Sequence, residues 1–188
     1  MSIFNNNLYL VRHGETELNK KHIIQGQIDS PLTELGIKQA HETSEKVKNL
    51  NIDILITSNL GRAMHTAEII SKDTGIQLKR IDPVFRERNF GIIEGVSTAD
   101  LKKTYPQYVT NKGILILEHD FLASEPIKDF YNRIINGIKA LMKEFDGKKV
   151  LLVSHKGILN MVYAYANDVP LDKIRTVYDP VNCVIENY

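Results

Sequence analysis

Two short apolar runs, Leu8-Tyr9-Leu10-Val11 and Val150-Leu151-Leu152-Val153, lie near opposite ends of the 188-residue chain, and each stops at a histidine. The first runs into Arg12-His13-Gly14 and the second into Ser154-His155-Lys156-Gly157. An uninterrupted apolar run of this length reads as a strand covered on both faces, the pattern of a parallel sheet with helices above and below. Ligands of such sheets collect beyond the carboxyl ends of the strands. With both runs in one sheet, His13 and His155 come to the same edge.

The intervening sequence supplies the covering layers. Thr33 is placed to N-cap a helix carrying Leu35, Ile37, Ala40 and Val47. Ile52 to Thr57 reads as the next strand. Leu60, Ala63, Met64, Ala67 and Ile70 recur at helical spacing, Gly75 stops that helix, and Arg62 falls off its apolar stripe. Leu78 to Ile81 reads as a third strand. A continuous apolar face from Ile127 to Phe145, entered at Ser124-Glu125-Pro126, predicts a long helix, and a last helix is expected from Ile158. Alternating strands and helices predict an α/β fold: a three-layer α/β/α sandwich around a mostly parallel sheet. The length suits one domain over 1–188. Residues 96–123 lack clear periodicity and read as an insertion over the active site.

Lys plus Arg number 24 against 23 Asp plus Glu, a net charge of +1, so bulk electrostatics gives no reason to expect a nucleic acid or an acidic membrane as partner. Any anion site must be local. The lone Cys183 cannot form an intrachain disulfide or a multi-cysteine zinc site and fits a reducing compartment, so a cytoplasmic protein is expected. The longest apolar run, Met161 to Ala166, is far short of the ~20 residues of a membrane span, and residues 1–7 carry no signal-peptide core. Neither metal nor cofactor is expected, since no histidine pair has i, i+4 spacing and no acid-rich loop or nucleotide-cradling glycine run occurs. His22, His41, His65 and His119 read as solvated.

Arg12 adjoins His13, and Arg62 lies near a helix start. Two permanently charged forks suit a phosphate or carboxylate dianion, and helix N-termini after Ser58 and His155 would add amide donors. Any one of His13, His155, Arg12 and Arg62 alone reads as a strand end or solvated surface, whereas the four together point to an anion site.

The run Leu10-Val11-Arg12-His13-Gly14-Glu15-Thr16 resembles the signature of the histidine phosphatase superfamily, the phosphoglycerate-mutase-like enzymes. It is joined in order by Asn19, Gln25-Gly26, Asp29, Pro31-Leu32-Thr33, Gly36, Gln39-Ala40, Ser58, Arg62-Ala63, Thr66-Ala67, Glu87, Gly91, Glu94-Gly95, Asp129, Arg133 and Val153-Ser154-His155. The resemblance implies that His13 attacks phosphorus to form a phosphohistidine and that Arg12, Arg62 and His155 hold the equatorial oxygens. Asn19, Gln25 and Gly26 are expected to complete the phosphate pocket, and Lys156 is expected to add charge beside it. Glu87 corresponds to the general acid, which protonates the leaving oxygen and then deprotonates water. Phosphate would raise its pKa, whereas Arg86 and Arg88 would lower it, so the direction stays open. Asp29, Glu15 and Glu94 are weaker candidates for that role. His13 is expected neutral, one ring nitrogen held by backbone near Gly14, and His155 is expected to work protonated.

Two departures stand out. Lys156 occupies a position where many members have glycine, and Ser124-Glu125-Pro126 replaces the common Gly-Glu-Ser. Mutases of the family are typically longer, so the expected activity is metal-independent hydrolysis of a small phosphorylated metabolite. The alternatives are a cofactor-dependent phosphoglycerate mutase and, less favoured, a non-catalytic phosphate-ligand sensor. Oligomeric state is left open.

Overall fold

The computed structural model describes residues 4–109 and 120–188. In chain order the elements are β1 (Leu8–Arg12), α1 (Glu17–Lys20), α2 (Glu34–Val47), β2 (Ile54–Thr57), α3 (Gly61–Thr74), β3 (Leu78–Ile81), α4 (Thr98–Thr104), α5 (Ile127–Glu144), β4 (Val150–Ser154), α6 (Lys156–Asn167), α7 (Ile174–Val177) and β5 (Ile185–Asn187).

The strands form one sheet in the order β3-β2-β4-β1-β5. All neighbours are parallel except β5, which runs antiparallel to β1. Every residue of the middle strand β4 is buried, as its unbroken apolar run requires. Successive side chains point to opposite faces. Leu8, Leu10 and Leu152 pack with Ile134, Ile138 and Leu141 of α5 and Ile158 and Val162 of α6. Tyr9, Val11, Leu151 and Val153 pack instead with Val47 of α2 and Ala63, Ala67 and Ile70 of α3. The result is the expected α/β/α sandwich, with each buried Leu or Ile contributing about 1.5–3 kcal/mol.

Several local expectations are corrected. Leu35 is 49% exposed, because α2 buries Gly36, Ala40, Thr43, Ser44 and Val47 instead. The cause is the approach of Gly36 to the loop after β1: a Cβ there would lie 2.1 Å from Glu15 O. Facing Gly36 inward turns Leu35 out by one helical step. α6 begins at Lys156 rather than Ile158, with His155 as its N-cap. Strand β5 was not anticipated. Within 96–123 the structure has α4, capped by Ser97 and burying only Leu101, which leaves no apolar stripe to read. His119 lies outside the described residues. Among the described residues, no helix is long and apolar enough to cross a membrane.

Candidate active site

In the β1–β4 ladder Leu8 faces Val150 and Arg12 faces Ser154, so His13 and His155 each stand one residue beyond paired strand ends. His13 N–H donates to Ser154 O at 2.9 Å, and the two imidazole centroids are 5.3 Å apart, with the rings inclined at 57°. A cavity of about 460 Å³ opens above them. Of the residues expected in the site, Arg12, His13, Asn19, Gln25, Gly26, Arg62, Glu87 and Lys156 line it. His155 is fully buried beside His13.

His13 Nδ1 is 2.8 Å from Gly14 O, an acceptor, so this nitrogen carries the proton. Nε2 is left with a lone pair, toward which Arg62 Nε donates at 3.3 Å. Burial first, then Arg62 and Arg12, push the His13 pKa well below its ordinary value, which keeps the ring neutral.

Arg62 is buried, contrary to its expected place off the α3 stripe. It lies on the covered side with Thr66, and backbone carbonyls receive its charge: Nη2 donates to Gly26 O at 2.7 Å and Nη1 to Ile28 O at 2.8 Å. Asp29 Oδ1 adds an ion pair at 3.3 Å. Gly26 adopts a φ of 53°, and a Cβ there would meet Glu94 Oε1 at 2.0 Å. Thr66 Oγ1 accepts from Gly14 N at 3.0 Å and ties the loop after β1 to the same helix.

The helix N-termini expected to offer amides to an anion are already occupied. Asp29 accepts from Gly61 N and, at 3.2 Å, from Arg62 N at the start of α3. Gly157 N, in the first turn of α6, donates to Glu87 Oε2 at 3.0 Å. Glu87 Oε1 accepts from Arg88 N at 2.9 Å, so two backbone amides hold this buried carboxylate. The guanidiniums expected to act on it have hydrogen-bond partners of their own, though the charge of Arg88 still meets that of Glu87. Arg86 Nε bonds Asn59 Oδ1 at 2.7 Å, while Arg88 donates to Glu125 O and Asp120 and lies against the Phe90 and Phe121 rings.

The weaker acid candidates have structural partners. Besides Asp29, Glu94 Oε1 accepts from Gln27 N and Phe90 N at 3.0 and 2.8 Å, and Glu15 Oε1 accepts from Thr33 Oγ1 at 2.8 Å. Glu125 pairs with Arg133 at 2.7 Å.

His155 departs from expectation. Its pKa is pushed well below the ordinary value by burial, then by Arg62, His13, Arg12 and Arg133, so the ring is neutral rather than protonated. Nε2 is 2.8 Å from Ser58 Oγ, while Nδ1 is buried without a hydrogen-bond partner among the described residues.

Asn19 closes the capping box of α1 with Thr16. Gln25 Nε2 donates to Thr16 Oγ1 at 2.8 Å and its Oε1 is buried without a partner. Rotating this amide by 180° would let Thr16 O–H donate to Oε1 and put the NH₂ in the buried position that Oε1 occupies. Arg12 Nη1 donates to Pro180 O at 3.0 Å, and Lys156 Nζ is paired with Asp179.

Sequence reasoning missed Asp179 and Asn182. Asn182 Nδ2 donates to His13 O at 2.6 Å, and Asp179 and Asn182 line the cavity. The turn chemistry of Asp179-Pro180-Val181-Asn182 marks a loop, where binding residues concentrate, and is the signal that could have found them. His22 is exposed as expected, yet it lines the cavity together with Ile23, Ile24 and Phe90. Among the described residues, no group of three or more His, Cys, Asp or Glu could hold a metal ion.

Comparison with known proteins agrees with this geometry. Residues 8–186 match the family model of the histidine phosphatase superfamily (branch 1). "Uncharacterized phosphatase PhoE" of Bacillus subtilis is 36% identical over 146 residues, covering 78% of this chain and 69% of the relative. "Probable phosphoglycerate mutase GpmB" of Yersinia pestis is 39% identical over 153 residues, covering 79% and 68%. Among solved structures, Bacillus stearothermophilus YhfR superimposes with a TM-score of 0.81 at 27% identity, covering 95% of this chain and 88% of that one. The alpha-ribazole phosphatase from Shigella flexneri gives 0.80 at 27% identity, covering 95% and 87%.

Proposed function

The chain belongs to the histidine phosphatase superfamily, and within it we propose a metal-independent phosphomonoesterase that hydrolyses a small phosphorylated metabolite through a phosphohistidine on His13. The observation that carries this reading is the His13 ring, whose proton is held at Nδ1 by Gly14 O and whose Nε2 lone pair meets Arg62 at the cavity.

A bound phosphoryl group takes over the Arg62 Nε donor, which frees Nε2 to attack phosphorus. The P–O ester bond breaks as the N–P bond forms, and Glu87 gives a proton to the departing oxygen. Arg12, Arg62 and His155 hold the equatorial oxygens, where fixed positive charge and N–H dipoles supply most of the stabilisation. In the second half Glu87 takes a proton from water, the water oxygen bonds phosphorus, and the P–N bond breaks. Ile23, Ile24 and Phe90 give the organic part of the ester an apolar wall.

Hydrolysis needs water at the phosphohistidine, and a mutase needs it excluded. The phosphatases among the structural neighbours support hydrolysis, while the GpmB relatives keep mutase chemistry as the alternative. The reading places the enzyme in the cytoplasm, supported by its single, unpaired cysteine.

The deciding experiment compares wild type with His13→Ala on p-nitrophenyl phosphate and on a panel of phosphorylated metabolites. Turnover insensitive to EDTA and abolished in a folded His13→Ala variant is expected. A variant keeping most of its turnover overturns the mechanism. Faster conversion of 3-phosphoglycerate to 2-phosphoglycerate than to free phosphate, with the bisphosphate primer present, would make it a mutase.

A further inference from the structure

We infer that Ser58 is a positioning residue that fixes the tautomer of His155, so that the neutral ring keeps its proton on Nδ1 and offers it to a bound phosphoryl oxygen. This deepens the reading of the cavity as a phosphoryl site and rests on it for the identity of the acceptor.

The inference comes from accounting for one buried proton. Ser58 is 0% exposed and stands directly beyond β2, its N–H bonded to Val153 O of β4 at 3.1 Å, so both its neighbours and its place are fixed by the sheet. Among the described residues its hydroxyl oxygen has two partners: Leu60 N at 3.3 Å and His155 Nε2 at 2.8 Å. Leu60 N is a donor and can only be accepted from. A hydroxyl carries one proton, and His155 Nε2 is the remaining group able to receive it. Buried hydroxyl protons without an acceptor are rare in folded proteins. Nε2 therefore holds the lone pair, and a neutral imidazole with its lone pair at Nε2 has its proton at Nδ1.

The reverse assignment fails the same accounting. Were Nε2–H the donor, Ser58 O–H would have nowhere to go, and the Nδ1 lone pair would be buried unmet. In the inferred tautomer the group left over is Nδ1–H, which has no hydrogen-bond partner among the described residues. Arg62, His13 and Arg12 all act on this ring, and the His13 centroid is 5.3 Å away, so it sits against the groups that hold phosphate.

The two histidines thus share one tautomer and use it in opposite senses. In His13 the Nδ1 proton is spent on Gly14 O and the Nε2 lone pair is left for chemistry. In His155 the Nε2 lone pair is spent on Ser58 O–H and the Nδ1 proton is left. A depressed pKa and a donor role are then compatible, because His155 needs no second proton to donate.

The test reads the ring nitrogens directly. In ¹⁵N-labelled, ligand-free protein near pH 7.5, long-range ¹H–¹⁵N correlation, assigned by the loss of signals in His155→Gln, should show Nδ1 protonated and Nε2 unprotonated. The opposite pattern in wild type overturns the inference without reference to activity. Inorganic phosphate should shift the Nδ1–H resonance, and no shift at saturation, judged by perturbation of Arg12 and Arg62 signals, overturns the donor role. Ser58→Ala should mix or invert the tautomer and lower kcat/KM at least tenfold, with Ser58→Thr restoring both. A folded Ser58→Ala with the wild-type ring pattern and kcat/KM within twofold overturns it. Should Ser58→Ala not fold, the wild-type spectrum still decides. The hydrolase reading stands or falls separately on His13→Ala.

Discussion

The amide of Gly157 donates to Glu87 Oε2 at 3.0 Å, and a Cβ at residue 157 would lie 2.1 Å from Glu87 Oε1. The glycine is required for closeness to a carboxylate, not for an unusual backbone angle. Gly157→Ala should therefore push the proposed acid out of line and lower kcat tenfold or more. The new methyl would also lie 3.0 Å from the Phe130 ring, so urea unfolding should show a loss of about 1–3 kcal/mol, the usual cost of overpacking. Unchanged kcat would mean that Glu87 tolerates displacement.

Removing the carboxyl tests its role more directly. With general acid catalysis worth roughly 10²–10⁴-fold, Glu87→Gln should lose on the order of 10² in kcat/KM on alkyl phosphates. On p-nitrophenyl phosphate, whose leaving group needs little protonation, the loss should be under about tenfold. Equal losses on both would remove Glu87 from proton transfer.

Asp29 caps the start of α3 and also pairs with Arg62. Asp29→Ala should cost about 1–2 kcal/mol in urea unfolding, as lost N-caps do, and raise KM because Arg62 loses a carboxylate that orients it. Asp29→Asn, which keeps an acceptor on one side only and sets an NH₂ against N–H donors on the other, should recover only part of the stability. A stable Asp29→Ala with wild-type KM would contradict both roles.

Burial holds His13 and His155 neutral at pH values where an unfolded histidine, with a pKa near 6.5, takes up a proton. The unfolded state then binds more protons, so stability is full above about pH 7 and is lost as pH falls through about 6.5. The slope should approach about 1.4 kcal/mol per pH unit for each histidine. Urea midpoints from pH 8 to pH 5, in buffers without phosphate, should fall accordingly, and His155→Gln should flatten the curve. Parallel curves would show that His155 does not titrate on unfolding.

Lys156 and Asp179 form an ion pair at the cavity mouth, with the acid largely solvated. Such pairs contribute about 0–1 kcal/mol, so Lys156→Gly and Asp179→Asn should leave the urea midpoint nearly unchanged. Their effect should appear as altered KM values across a metabolite panel. An unchanged profile in both variants would assign the pair to the surface.

Strands β1 and β4 are legible because a residue run covered on both faces has to be apolar throughout, and His13, Arg12 and His155 are legible because they end those runs. Arg62 is harder. A guanidinium on a helix reads as solvated until the carbonyls of Gly26 and Ile28 are known to converge on it. Asp29 likewise gives no local sign of capping a helix that begins at Gly61. Strand β5 has three residues and borrows its order from β1, so it has too little length for periodicity to register. The exposure of Leu35 follows from a contact that Gly36 makes with Glu15, which no pattern within α2 contains.

The middle of the sheet is made late. β4 separates β1 from β2, so a nascent chain that has emerged as far as residue 145 already carries Arg12, His13, Arg62 and Glu87, but lacks the strand that joins β1 to β2. The loop that holds Arg12 and the His13 carbonyl arrives later still, at Pro180 and Asn182. Contacts across so much sequence form slowly. On the ribosome His13 is therefore made well before the strand and loop that complete its surroundings, and the proposed activity waits for residues 150–182.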